Sequence, residues 1–169
     1  MEKKVLVAYA SKYGATAEIA EKIAGVLREA GLTVDVVPAN KVGNPASYAA
    51  VVLGSAVYIG QWRKEAVKFL KSNQKLLVER PVWIFSSGPS GKGDPLELVK
   101  GWRFPGKIRS VIETVKPVDI VVFHGSIDNE KMNAIERFMI KNVKAPPGDF
   151  RDWEAITAWA KKIAAELKK

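Results

Sequence analysis

Near the start of the chain lies Val5-Leu6-Val7-Ala8-Tyr9-Ala10-Ser11-Lys12-Tyr13-Gly14-Ala15-Thr16, where a largely apolar run meets a polar turn. The apolar run predicts a strand that is covered on both faces. After the turn, apolar residues recur at helical spacing until Gly31, which predicts an amphipathic helix that ends there. A buried strand, a short turn and a helix are typical of a βαβ unit, so we expect a parallel sheet. The apolar positions of the helix are Ile19, Ile23, Val26, Leu27 and Ala30.

The rest of the chain repeats this alternation. Apolar runs predict four further strands, at residues 32–37, 49–54, 82–85 and 118–123. We therefore expect one domain over residues 1–169, an α/β three-layer sandwich with a five-stranded parallel sheet and helices on both faces. The further helices are marked by Trp62, Ala66, Phe69 and Leu70, by Ile108, Val111, Ile112 and Val115, by Met132, Ile135 and Met139, and by Trp153, Ile156, Trp159, Ala160, Ile163 and Leu167.

The composition removes several classes of chemistry. The 169 residues include no cysteine and one histidine, His124. Disulfides, thiol catalysis, iron–sulfur clusters and zinc sites built on cysteine or on several histidines are therefore excluded, and we expect no metal site. Redox chemistry would need a bound organic cofactor. The longest apolar runs are far shorter than the roughly 20 residues of a spanning helix, and no signal peptide is recognisable, so a cytoplasmic location is expected.

Positive charge is concentrated in the middle of the chain. The formal net charge is +9, and residues 61–116 contain 12 basic and 5 acidic residues. Such a segment is either an ordinary solvated surface or a face that attracts anions, among them acidic lipids, nucleic acid and carboxylate-bearing substrates. The sequence leaves these two interpretations open.

Three loops are candidates for a binding site, because ligands of doubly wound sheets bind beyond the carboxyl ends of the strands. They are residues 11–16, 55–61 and 86–94. In the first, Ser11 and Thr16 flank Gly14, which lets the backbone approach a ligand closely, and the helix N-terminus attracts anions, as in a phosphate site. The same residue types also cap ordinary helices. Residues 86–93 lack the spacing of a Walker A loop or a dinucleotide fingerprint.

A known family matches these loops. Residues 9–16 and the helix after them resemble the phosphate loop of the flavodoxin family, and residues 52–60 and 85–88 resemble its two flavin-flanking loops. Residues 136–141 and 149–154 resemble the menaquinone-dependent protoporphyrinogen oxidase branch of that family. Two features depart from the pattern: residues 123–130 are shorter and more acidic than in that branch, and the chain is more basic than typical flavodoxin electron carriers.

The resemblance implies a flavodoxin fold that holds FMN without a covalent bond. Tyr58 is either a stacking partner of the flavin or a partly exposed loop residue. The phosphate loop would consist of Ser11, Lys12, Tyr13, Gly14, Ala15 and Thr16, and the isoalloxazine would be clamped by Ser55, Ala56, Val57, Tyr58, Ile59 and Gly60 and by Ser86, Ser87, Gly88, Pro89 and Ser90.

Further candidates lie around this predicted site. His124 is either a proton donor or acceptor beside the flavin or a histidine satisfied by backbone groups at a strand end, and we favour the second. Residues 86–106 form either a shelf for a planar, anionic substrate or a flexible surface loop with Trp102 packed inward. On the shelf, Lys92, Lys100 and Arg103 would bind carboxylates, and Trp102 and Phe104 would face a flat ring. Trp62 is expected to pack its helix onto the sheet, and Trp153 and Trp159 to lie in the core.

Three functions are compatible with these observations. The first is an FMN-dependent oxidoreductase of the protoporphyrinogen oxidase type, which takes hydride equivalents from a reduced, anionic tetrapyrrole and passes electrons to a quinone. Its basic face would meet the substrate or, peripherally, a membrane. The second is an electron-transfer protein that serves a redox partner protein. The third is a nucleotide-binding or nucleic-acid-binding protein without redox chemistry. The resemblance favours the first, and we expect no nucleic-acid partner.

Overall fold

The computed structural model describes residues 4–142 and 146–169. In these residues the strands are β1 (Lys4–Ala10), β2 (Thr33–Pro38), β3 (Ala50–Tyr58), β4 (Gln61–Trp62), β5 (Val82–Ser87), β6 (Asp119–Phe123), β7 (Ser126–Ile127) and β8 (Gly148–Asp149). The α-helices are α1 (Ala15–Glu29), α2 (Lys64–Ser72), α3 (Gln74–Leu77), α4 (Pro95–Leu98), α5 (Arg109–Val115), α6 (Ala134–Asn142) and α7 (Trp153–Leu167).

The predicted α/β sandwich is confirmed. Five parallel strands lie in the order β2-β1-β3-β5-β6, and β4 adds a short antiparallel strand beside β3. From β1 the chain first forms β2 on one side and then returns to form β3 on the other side of β1. The switch point, where the strand order reverses direction, therefore lies between β1 and β3. Ala10, Ser55, Ser86 and Val122 pair in one row across four strands. The loops that follow these strands therefore begin at the same level of the sheet.

Two apolar layers cover the sheet. Alternating strand residues face either α1 and α7 or α2 and α5, as expected for strands that are buried on both sides. Phe85 belongs to the first layer and contacts the rings of Phe123 and Trp159. Its ring crosses Gly54 on the neighbouring strand, where a Cβ would overlap the ring atoms. Glycine at position 54 is therefore required by packing.

The predicted loop at residues 55–61 is wrong in its first half. Strand β3 continues to Tyr58 and returns through Ile59 and Gly60 to β4, where Val57 pairs with Trp62. Both turn residues have positive φ, 50° and 70°, as a tight hairpin requires. Isoleucine is an uncommon residue at such a position, so local residue preferences do not predict this hairpin. Trp62 consequently lies in β4 and not on the helix, which begins at Lys64.

One of the two tryptophans predicted to lie in the core does so, and the helix predicted around Met132 begins later than expected. Trp159 is buried as predicted, at 5% exposure. Trp153 is not a core residue, because it is 36% exposed at the first turn of α7 and its ring stacks against the Arg151 guanidinium at 4.8 Å. The helix predicted around Met132 begins at Ala134, and the side chain of Met139 lies outside the described part of the structure.

Among the described residues, no helix combines the length and apolar character needed to cross a bilayer.

Candidate functional site

A cavity of about 580 Å³ opens at the carboxyl edge of the sheet, in the size range of small-molecule sites. It is bounded by the three predicted loops, by the segment after β6 and by one residue near α7. The predicted cofactor-binding residues that line it are Ser11, Lys12, Tyr13, Ala15, Thr16, Ala56, Val57, Tyr58, Ile59, Gly60, Ser87, Gly88 and Pro89. The predicted shelf residue Trp102 also lines it, together with Glu18, Val99, Gly125, Ser126, Ile127, Asp128, Lys131, Met132 and Arg151.

The first loop leaves a helix end open to the cavity. Gly14 has φ 94°, a left-handed conformation that favours glycine, and its amide donates to Ser11 Oγ at 3.0 Å. No side chain of the described residues caps α1, which begins at Ala15. Thr16 follows in the first turn and is 2% exposed. Unsatisfied amides and the helix dipole make this end of the cavity suited to an anion.

The second and third loops are held by buried serines that do not line the cavity. Ser55 Oγ accepts from the Arg63 amide at 3.0 Å, and Ser86 Oγ accepts from Trp62 Nε1 at 2.8 Å. Ser86 Oγ also donates to the Arg103 carbonyl at 3.2 Å. These two hydroxyls fasten the β4 hairpin and the loop after β5 to the sheet. Of the other predicted residues, Gly14 and Ser90 are not among the described residues that line the cavity.

Aromatic side chains form the walls. Tyr13 and Tyr58 meet edge to face, with ring centroids 6.5 Å apart. Burial raises the pKa of Tyr58 to about 12, so its hydroxyl stays neutral at physiological pH. Trp102 adds a third ring from the loop after β5. A flat, apolar ligand would therefore find aromatic surface next to the anion-attracting helix end.

Helix α6 is tied to the first loop by one carboxylate. Glu136 pairs with Lys12 Nζ at 2.8 Å and accepts a hydrogen bond from the Tyr13 hydroxyl. The hydrogen bond from Lys12, followed by that from Tyr13, lowers the pKa of Glu136 below its ordinary value. Lys12 and Tyr13 are consecutive in the loop, so this single carboxylate fixes both side chains.

His124 is engaged by backbone oxygens. Its Nδ1 lies 3.1 Å from the Pro89 carbonyl oxygen and its Nε2 lies 2.6 Å from that of Gly93. The ring is 7% exposed and is not among the described residues that line the cavity. In this position it links the end of β6 to the loop after β5.

Only part of the predicted shelf reaches the cavity. Trp102 lines it and also packs against the apolar layer of α2 and α5. Phe104 packs against the same layer and lies under the Arg109 guanidinium at 5.2 Å. Within the described lining, Lys92, Lys100 and Arg103 are absent. The cations that do line the cavity are Lys12, Arg151 and Lys131, the last from the segment that follows β7.

Comparison with known protein families agrees with this site. The family described as "Flavodoxin domain" matches residues 6–153 of the chain. The chain belongs to this flavodoxin-domain family. It is 23% identical to the Escherichia coli K12 protein named protoporphyrinogen IX dehydrogenase [quinone], over 95% of this chain and 94% of that protein.

Solved flavodoxins share the fold. A Pseudomonas aeruginosa flavodoxin superimposes with a TM-score of 0.57 at 15% identity, covering 98% of this chain and 99% of its own. A Fusobacterium nucleatum flavodoxin variant bound to flavin mononucleotide gives a TM-score of 0.50 at 16% identity, covering 86% of this chain and 95% of its own.

Sequence reasoning missed the part of the site that comes from late in the chain. Residues 125–128, Lys131, Met132 and Arg151 line the cavity, and the pairing of β7 with β8, which sets Ser126 opposite Asp149, brings the two segments together. Strands of two residues leave almost no periodic signal. The motif at residues 149–154 was visible as part of the resemblance, but nothing in it indicated that Arg151 lies beside the first loop.

Proposed function

We propose that this protein binds FMN and acts as an oxidoreductase of the protoporphyrinogen IX dehydrogenase type, with a quinone as electron acceptor. The observation that carries the cofactor assignment is the uncapped N-terminus of α1 beside Ser11 and Thr16, at one end of an aromatic-walled cavity. The near full-length relative with that printed name supports the substrate and acceptor.

The residues of the cavity fit FMN. Ser11, Thr16 and the first amides of α1 would hold the phosphate, with Gly14 providing the turn. Tyr58, Gly88 and their neighbours would flank the ring system. A Cβ at Gly88 would lie 3.0 Å from Val57 Cβ, so glycine allows the two loops to pack closely at this wall of the cavity. When bound, FMN would supply hydride and electron transfer, for which the chain has no group of its own.

The substrate would bind at the mouth of the cavity. Trp102 offers a flat apolar surface and Lys131 a cation, the two properties that a planar tetrapyrrole with carboxylates requires. Asp128 lies on the same segment as Lys131 and lines the same cavity. An acidic side chain there would disfavour a carboxylate nearby, so the substrate carboxylates would be oriented toward Lys131.

Helix α6 would contact the membrane surface. Its outer side chains Ile135 and Phe138 are 72% and 65% exposed, beside the exposed cation Lys141. A cytoplasmic protein that is peripheral to the membrane would reach a lipid-soluble quinone in this way. Ile135→Ser with Phe138→Ser should reduce co-sedimentation with vesicles containing phosphatidylglycerol. Val118→Ser is the matched control, because Val118 is 53% exposed before β6. Equal sedimentation of both variants would refute this contact.

The second candidate is an electron-transfer protein without its own small-molecule substrate, which the flavodoxin neighbours favour. Anaerobic turnover distinguishes the two. The FMN-loaded protein should oxidise protoporphyrinogen IX beyond the electrons that its own flavin can accept only when a menaquinone analogue is present to reoxidise the flavin. A flavin that dithionite reduces fully, without any protoporphyrinogen oxidation, would support the electron-transfer function instead.

A further inference from the structure

Arg151 brings a buried cation to the phosphate end of the cavity. Its side chain is only 9% exposed, and its Nη1 donates to the carbonyl oxygen of Ala15, the first residue of α1, at 3.2 Å. Thr16 is the next residue, and both it and Arg151 line the cavity. A guanidinium buried to this degree is expected to have a defined set of partners.

The partners of Arg151 fix its orientation without using all its donors. Asp149 accepts from Nε at 2.9 Å and from Nη2 at 2.7 Å, and Glu18 Oε1 lies 3.4 Å from Nη1. Of the five N–H groups of a guanidinium, the described residues leave one on Nη2 without a partner. The hydrogen bond to Asp149 also raises the pKa of Arg151, which keeps the guanidinium charged.

The positive charge of Arg151 offsets two negative charges near the N-terminus of α1. Glu18 lines the cavity and lies 3.4 Å from Arg151, and Asp149 is the hydrogen-bond partner of Arg151. Without Arg151 these two carboxylates would face the N-terminus of α1 with no guanidinium between them, and a bound phosphate would be repelled. An uncharged ligand of the same shape would be affected far less.

We propose that Arg151 makes the cavity selective for a phosphorylated flavin over riboflavin. This inference rests on the proposed function, because it presumes a flavin in the cavity. The Arg151 guanidinium would donate a hydrogen bond to the phosphate, in addition to the hydroxyls of the first loop, although Arg151 is distant from that loop in the sequence.

The alternative is a purely structural arginine that joins the β8 segment to α1. Loss of such a link would loosen the cavity for any ligand, so FMN and riboflavin would be weakened together. The ratio of the two dissociation constants separates these alternatives, because only the phosphate differs between the ligands.

The experiment is a calorimetric titration of the full chain with FMN and with riboflavin. Arg151→Gln should weaken FMN at least about tenfold more than riboflavin, as expected for loss of a charge-assisted hydrogen bond to phosphate. Glu18→Gln should shift the ratio the other way, by about twofold or more, because it removes a repelling carboxylate. Lys161→Gln is the charge-matched control, because it removes one cation from the exposed side of α7. Its ratio should equal that of the parent.

Each outcome has a distinct meaning. Equal weakening of both flavins by Arg151→Gln, or an unchanged ratio in Glu18→Gln, would overturn the inference. A parent protein that binds neither flavin would refute the proposed function itself. If Arg151→Gln does not fold, the Glu18→Gln ratio and the salt dependence of the parent remain as tests. FMN affinity that falls with salt no more than riboflavin affinity would count against the inference.

Discussion

Thr16→Val is the sharpest test of the first loop, because it removes one hydroxyl and keeps the shape of the side chain. Thr16 is 2% exposed and lines the cavity in the first turn of α1. A buried hydrogen bond to a charged phosphate contributes about 1.5–3 kcal/mol, so FMN affinity should fall by about 10- to 150-fold.

The control is Thr157→Val on α7, whose hydroxyl donates to the Trp153 carbonyl at 2.7 Å, outside the cavity. Calorimetry on both variants, with circular dichroism to verify folding, gives the comparison. If Thr16→Val binds FMN as tightly as the parent and as Thr157→Val, the Thr16 hydroxyl does not hold the phosphate.

Three further predictions concern α6, the core and the mouth of the cavity. The pKa of Glu136 is lowered, mainly by its hydrogen bond from Lys12, so the link to the first loop stabilises the fold above the ordinary glutamate pKa of about 4.3. This contribution disappears as pH falls through the lowered pKa of Glu136. The melting temperature of Glu136→Gln should therefore be lower than that of the parent at pH 7 and equal to it at strongly acidic pH. A difference in melting temperature that does not change with pH would contradict this. Gly54→Ala should lower the free energy of unfolding by about 1–3 kcal/mol, measured by urea denaturation, whereas Gly43→Ala, which meets nothing within 4 Å, should not. Trp102→Ala should retain FMN but reduce protoporphyrinogen turnover at least about tenfold, or roughly 1.4 kcal/mol, and undiminished turnover would move the substrate elsewhere.

The layers of the fold were predictable because their signals are long and periodic. Helix α7 shows apolar residues at helical spacing over 15 residues, and β1 is a nearly continuous apolar run, so both were found close to their true bounds. The β4 hairpin was missed because its turn places isoleucine at positive φ, against the usual preference for glycine or asparagine. Local propensity there is overridden by the burial of Trp62 and its bond to Ser86.

The site was predictable on the side formed by the first three loops, because sheet topology alone brings them to one edge. Its other side depends on contacts that are distant in sequence. Arg151 lies beside Ala15 across 136 positions, and Tyr13 meets Glu136 across 123. No local pattern encodes such pairs, so the sequence could point to the residues of the first loop but not to the charges around them.

The most direct test of the account is the amount of flavin that the purified protein retains. The protein should be incubated with excess FMN, separated from free flavin by gel filtration and measured by visible absorption against protein concentration. One FMN per chain is the expected result, with Thr16→Val retaining much less under the same conditions. A colourless parent protein that calorimetry also shows not to bind FMN would contradict the assignment of this cavity to a flavin.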